Sequence, residues 1–286
     1  MSSEESLRPG SRVEKSEGPE TGGVVVDPEW WKHIFDSLYM VTDARSIDND
    51  QVTAAEADLV ERFIPIARDE PLLDLCGGQA RHALALARRG YTGITTLDYS
   101  AYLLDLGKNR ADSLPVHFVR ADARVLPLAD SSYRAVAMMA CSFGYSPDDR
   151  ENAAILREAW RVLGPGGMLL LDVPDAEKVL KNISGNTWHQ ANEDIFVMRS
   201  RRPAAGGLAV RELVVSRERG LLRETNYFEK LYSHTLIRVL VMGAGFKRAR
   251  VYRGLKNLTG TRHRGSEPDL GFMSSRMIVT ALKPGK

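Results

Sequence analysis

Apolar positions along the chain recur first at helical spacing and later in short solid runs. Trp30, Trp31, Ile34, Phe35, Leu38 and Tyr39 fall three and four residues apart, which predicts a helix. Asp27 is its expected N-cap and Pro28 its first helical position. Thr53, Ala54, Ala57, Leu59, Val60, Phe63 and Ile64 supply the apolar side of a second helix. From Pro71 the pattern changes. The run Leu72-Leu73-Asp74-Leu75 stops at Cys76-Gly77-Gly78, and a short apolar run bounded by glycines reads as a fully buried parallel strand. Residues 80–89 are helical in pattern, with Gly90 as the stop. Further strands are expected at 93–98, 116–120, 135–140 and 168–173, and a helix at 101–109. Another helix is expected from Ser146 as N-cap and Pro147, burying Ala154, Leu156, Trp160 and Leu163 and ending at Gly164-Pro165-Gly166-Gly167.

Beyond Asp175 the alternation of strand and helix stops. Residues 195–201, 208–216 and 221–232 are β-like runs separated by turns, read as antiparallel strands inserted before the main sheet finishes. A helix capped by Ser233, a strand at 247–252, a polar loop and a last strand at 277–282 complete the chain. The sum is an α/β protein with a doubly wound, Rossmann-like seven-stranded sheet, an inserted antiparallel β region and an N-terminal helical lid. Residues 1–26 are expected to be a disordered tail. Residues 27–66 would form the lid, and 67–286 the α/β domain with its insertion at 176–232.

Charge narrows the functional classes. The 286 residues carry 39 basic and 37 acidic side chains, a formal charge of +2, which lacks the basic excess of a nucleic-acid grip. No nucleic-acid partner is expected. The first 23 residues hold no apolar signal core, and no run reaches a membrane span. The two cysteines, Cys76 and Cys141, fit neither a disulfide framework nor a zinc set. The expectation is a cytoplasmic protein without a membrane or a metal, able to form a homo-oligomer.

Three features carry chemistry. A glycine turn between strand and helix at 76–80 lets a ligand approach the backbone and meet free N–H groups. Asp98 ends the next strand about twenty residues after Gly78, where a doubly wound fold places a carboxylate for ribose hydroxyls. Asp122-Ala123 follows the third strand, where a carboxylate can accept from an adenine amino group while the next N–H serves a ring nitrogen. Asp148 and Asp149 suggest helix capping rather than a metal, and His82 a packing residue.

The segments LDLCGGQARHALALARRG, TLDYS and RADARVLPL resemble the class I S-adenosylmethionine (SAM)-dependent methyltransferases. ACSFGY and REAWRVLGPGGMLLLDV are similar to that superfamily's fourth strand, following helix and fifth strand. The family's three small positions fall on Cys76, Gly78 and Ala80. The resemblance implies SAM as cofactor and S-adenosylhomocysteine (SAH) as its product. It implies that Cys76, Gly77 and Gly78 line the methionine end, with Asp74 orienting its amino group and Cys141 nearby. Asp98 would hold the ribose, Tyr99 would pack on the adenine, and Asp122 and Ala123 would meet its edge.

EWWKHIFDSLYMVTD and SFGY are similar to small-molecule N-methyltransferases of bacterial secondary metabolism, lincosamide-type enzymes included. That likeness would put Trp31, Tyr39 and Phe143 around the transferred methyl. An amine acceptor is favoured because no clear base for a hydroxyl is visible. The alternatives are O- or C-methylation of a small metabolite, a nicotinamide-dependent oxidoreductase, and a non-catalytic SAM-binding protein.

Overall fold

The computed structural model describes residues 24–254 and 275–285. The expected tail up to residue 23, and the expected polar loop over 255–274, lie outside the described residues. Two sheets organise the chain. The larger contains β1 (Leu72–Leu75), β2 (Ile94–Asp98), β3 (Val116–Arg120), β4 (Tyr133–Met138), β5 (Leu163–Pro174), β10 (Lys247–Arg253) and β11 (Arg276–Leu282). Their order is β10-β11-β5-β4-β1-β2-β3. β1 to β5 pair in parallel, and β11 runs antiparallel to β5 and β10.

Period-two alternation gives this sheet two apolar faces. Leu73, Leu75, Val136, Met138, Leu169 and Leu171 face α7 (Asp149–Val162) and α9 (His234–Gly243). Leu72, Ile94, Ala135, Ala137 and Leu170 face α4 (Asp50–Phe63) and α5 (Arg81–Arg88). The second sheet is antiparallel, in the order β6 (Asn186–Gln190), β7 (Ile195–Ala204), β8 (Gly207–Ser216), β9 (Gly220–Lys230). It is the insertion expected from the sequence, together with one strand that was not expected. β6 reads Asn-Thr-Trp-His-Gln and has no apolar run to announce it. α8 (Ala176–Asn182), which links it to β5, was also unannounced.

The N-terminal region departs from the single helix expected there. It is broken into α1 (Trp31–Ile34), α2 (Ser37–Thr42) and α3 (Ala44–Ile47). Asp36 restarts the chain by accepting from the backbone N–H groups of Leu38 and Tyr39, at 3.0 and 3.1 Å. A short acidic side chain that caps a new helix competes with continuing the old one. Asp27 caps no helix; it accepts from Glu29 N in a turn. The helix after β4 begins later than expected, because Asp148 rather than Ser146 caps it. β5 begins five residues earlier, since Gly166 and Gly167 exchange backbone bonds with Lys283.

A buried ion cluster joins these layers. Arg276 on β11 pairs with Asp172 on β5 and, at 2.6 Å, with Glu56 on α4. Glu56 also meets Arg81 at 2.5 Å and His82 at 2.9 Å, both on α5. Arg276, Glu56 and Asp172 have no exposed surface. Burial alone disfavours ionised Glu56, but Arg276 and Arg81 outweigh it and hold the carboxyl well below the usual range. Burial, with Arg81 adding to it, lowers His82 to about 4, so it is a neutral partner.

Glu56→Ala is expected to cost about 3–5 kcal/mol, because it takes the carboxylate partner from buried Arg81 and leaves Arg276 with one carboxylate fewer, and a urea titration measures this. The lowered pKa of Glu56 adds stability that is present above its unfolded value of about 4.3. That contribution is lost as pH falls through the lower folded value, so the native-minus-variant gap should narrow on acidification.

Candidate functional site

The sheet reverses direction between β1 and β4: β2 and β3 lie on one side, β5 and β11 on the other. Open α/β sheets bind ligands in the crevice beyond the carboxyl ends of the strands at such a switch point. Here the backbone is strained on both sides of that crevice. After β1, Cys76, Gly78 and Ala80 have φ of 58, 54 and 61°; after β4, Ala140 and Cys141 have 55 and 61°. Left-handed conformations cost an ordinary residue about 1–2 kcal/mol, and such outliers gather where a ligand must be met.

The turn is closed tightly. A Cβ on Gly77 would stand 2.5 Å from Asp74 Oδ2 and 2.7 Å from Thr96 Cγ2. Gly78 N donates to Asp98 Oδ2 at 2.9 Å, and Ser100 N donates to Asp98 Oδ1 at 2.8 Å. The carboxylate expected at the end of β2 therefore reaches back to the glycine turn. Burial pushes the pKa of Asp98 above the usual carboxylate value, against these backbone bonds.

A cavity of about 1100 Å³, counted to its open mouth, fills the crevice. Asp74, Cys76, Gly77, Gly78, Asp98, Tyr99, Asp122 and Ala123 all line it, as do Trp31 and Tyr39. Asp74 Oδ2 is buried with no hydrogen-bond partner, and burial pushes this carboxyl up to about 7. Asp122 is already engaged by Arg124, whose guanidinium reaches it at 2.7 Å and whose N–H donates at 2.9 Å. Burial opposes ionisation of Asp122, but these bonds outweigh it and keep the carboxyl below its usual range. Arg124 also lies 5.1 Å over the Trp31 ring, and Trp31 meets Tyr99 edge-on at 5.0 Å.

A second chamber, about 810 Å³ to its mouth, adjoins the first and shares Phe35, Tyr39, Ile47, Ala140 and Tyr145 with it. One side is aromatic: Trp30 lies 4.9 Å from Tyr145 and 5.1 Å from Tyr227, and Phe35 meets Tyr39 at 5.0 Å. The other side is the inserted sheet, which presents Arg199, Arg201, Glu212 and Glu229. Arg199 clasps Asp43 of the lid at 2.9 and 3.0 Å while donating to Glu212 at 2.7 Å.

Three expected placements are corrected. Phe143 lines neither chamber. Gly144, at φ 101°, reverses the chain there, so Phe143 sinks into the core 5.8 Å from Tyr232 and Tyr145 takes the cavity position. Cys141 lines only the second chamber. Its backbone N donates to the Asp172 carbonyl at 3.1 Å, and the left-handed turn carries the thiol away from the first cavity. Trp31 sits at the Tyr99 mouth and is absent from the second chamber, whereas Tyr39 stands between the two.

Sequence reading missed Tyr145 and Arg124, and the whole charged face of the inserted sheet. Its one available signal was the alternation Arg223, Thr225, Tyr227, Glu229 along a strand, which puts these side chains on one face.

Residues 72–167 match the family model described as a methyltransferase domain. The ubiquinone/menaquinone biosynthesis C-methyltransferase of Bartonella quintana is 35% identical over 131 residues, which cover 43% of this chain and 49% of that protein. The chain thus spans about half the length of that relative. The CcbJ methyltransferase from Streptomyces caelestis has a similar fold, with a TM-score of 0.63 and 19% identity over 82% of this chain and 90% of that one. The SAM-bound amino pentose methyltransferase CalS10 from Micromonospora echinaspora also scores 0.63, with 17% identity over 86% and 97% of the two chains. Residues 72–167, the segment that carries most of the quoted motifs, are thus similar to a methyltransferase domain. Among the described residues no helix is long and apolar enough to cross a membrane.

Gly77→Ala is expected to lower stability by about 1–3 kcal/mol, the usual cost of overpacking, since Asp74 and Thr96 leave no room for a methyl group. Thermal unfolding of the ligand-free chain reads this directly.

Proposed function

We propose that this chain is a SAM-dependent methyltransferase acting on a small molecule, and that the atom methylated is an amine nitrogen. The observation that carries the reading is the pair of adjoining chambers at the switch point, which share five lining residues. One is shaped by a glycine turn and carboxylates, the other by aromatic rings and charges. The residues present fit SAM. The unpartnered, buried Asp74 Oδ2 suits a cationic amino group, and the Gly77–Gly78 backbone offers a cradle that side chains would fill. Asp98 suits ribose hydroxyls, Tyr99 the adenine face, and Asp122 with Ala123 the adenine edge.

SAM supplies a methyl group on a positively charged sulfur, already activated for in-line displacement. What this chain adds is alignment and exclusion of water. Tyr39 and Tyr145 stand where the chambers meet, and aromatic faces tolerate cationic groups. Burial pushes the Tyr39 hydroxyl up, out of the range in which it would ionise, so it can donate a hydrogen bond without becoming a competing anion. Burial does the same to the Cys141 thiol, which keeps it from acting as a nucleophile.

Nitrogen is favoured over carbon or oxygen by the carboxylates of the second chamber, where Asp43, Glu212 and Glu229 outnumber Arg199 and Arg201. The same compartment of a soluble metabolic enzyme would suit it, and secondary metabolism is the setting that the N-methyltransferase likeness suggests.

Calorimetric titration should show SAM binding and no NAD binding. Asp98→Ala should weaken SAM about 10- to 100-fold, the loss of hydrogen bonds to a charged group. Binding of NAD without SAM overturns the proposal. A screen of amines, alcohols and quinols for SAH release then tests the acceptor class, and turnover confined to alcohols or quinols overturns the choice of nitrogen.

A further inference from the structure

We infer that Glu229 is the carboxylate that receives the acceptor's ammonium group in the second chamber and removes its proton, an inference that rests on the amine reading above. The charged groups of that chamber are otherwise committed. Arg199 is held by Asp43 and Glu212, Glu212 also faces Arg223 at 3.5 Å, and Arg201 donates to Thr187 Oγ1 at 2.9 Å. Glu229 lines the chamber and accepts no side-chain hydrogen bond among the described residues. It stands two residues after Tyr227 and on the same face of β9, beneath the aromatic wall formed by Trp30, Tyr145 and Tyr227. Tyr39, Ala140 and Tyr145 border both chambers, so a group held at Glu229 lies in the chamber that shares these walls with the first cavity.

A carboxylate enclosed in this way is costly to ionise, and the attraction of Arg201 and Arg199 does not offset its burial, so a further cation that meets it is favoured. The groups facing it are Arg199 and Arg201 from β7, Glu212 from β8, and Tyr227 from its own strand. Asp43 and Tyr39 face it from the lid, and Cys141 and Tyr145 from the turn after β4. Burial pushes Glu229 up to about 7, with the two arginines pulling the other way and Asp43 and Glu212 adding to the rise. Desolvation also weakens an ammonium's hold on its proton, which brings donor and acceptor together. The N–H bond breaks with its electron pair left on nitrogen as the nucleophilic lone pair. The proton passes to a Glu229 oxygen, and the carboxylate becomes a neutral acid.

The probes are cyclohexylamine and D-glucosamine against cyclohexanol and D-glucose, titrated calorimetrically into the full chain saturated with SAH. At pH 8 at least one amine should bind ten times more tightly than its alcohol counterpart. Glu229→Gln should erase that preference, whereas Glu224→Gln, altering an exposed partner of Arg211 on the same strand, should preserve it. Because burial raises its pKa to about 7, Glu229 is a carboxylate mainly above that pH, and the preference should fade as pH drops through that value. Absence of SAH binding overturns the methyltransferase reading and this one with it. SAH binding with no amine preference, or a preference that survives Glu229→Gln, overturns the role of Glu229 alone.

Discussion

The buried cluster of Arg276, Glu56, Asp172 and Arg81 is the constraint on which the crevice depends. Charges taken out of water are tolerated only where geometry satisfies them, so each partner fixes the element that bears it. Asp172 does more than pair with Arg276. Its side chain accepts from Ala140 N at 3.0 Å and its carbonyl accepts from Cys141 N at 3.1 Å, which anchors the left-handed turn after β4. Through Glu56 the same cluster holds Arg81 and His82 at the start of α5, directly behind the glycine turn. The two strained corners of the crevice are thus referenced to one set of charges rather than to separate loops.

Above that base, the lid packs on the insertion. Trp30, Ile34 and Val26 share an apolar cluster with Leu208, Val210, Tyr227 and Phe228. Polar ties add to it: Arg199 to Asp43, Arg223 to Asp36, and Arg45 to the Gln190 carbonyl. On the cofactor side the lid is held differently, by Arg124 over Trp31 and by Ser100 Oγ donating to the Phe35 carbonyl at 2.7 Å.

Much of the fold was legible because buried parallel strands announce themselves. β1, β4 and β5 carry short buried apolar runs, and the order and spacing of the strands around them set where Asp98 and Asp122 fall. What the sequence hid was of two kinds. A short acidic residue inside an apolar periodicity, Asp36, broke the N-terminal helix by capping α2 locally, which a spacing count does not see. The roles of Phe143, Tyr145 and Cys141 turned on positive φ angles at Gly144 and Cys141, and spacing does not say which way a side chain leaves a loop. The charged face of the insertion was illegible for another reason: Arg199, Glu212 and Glu229 lie on three different strands and become neighbours only through register.

The division of labour between the two sheets has an evolutionary consequence. The strand ends that shape the first cavity belong to the parallel sheet, whereas one wall of the second chamber is a single face of β7, β8 and β9. On the proposed methyl-transfer reading, substitutions on that face would exchange one acceptor for another while leaving the glycine turn, Asp98 and the buried ions undisturbed. A scaffold split in this way can diversify its chemistry by mutation of alternate residues on three adjacent strands, with little penalty to the part that must stay constant.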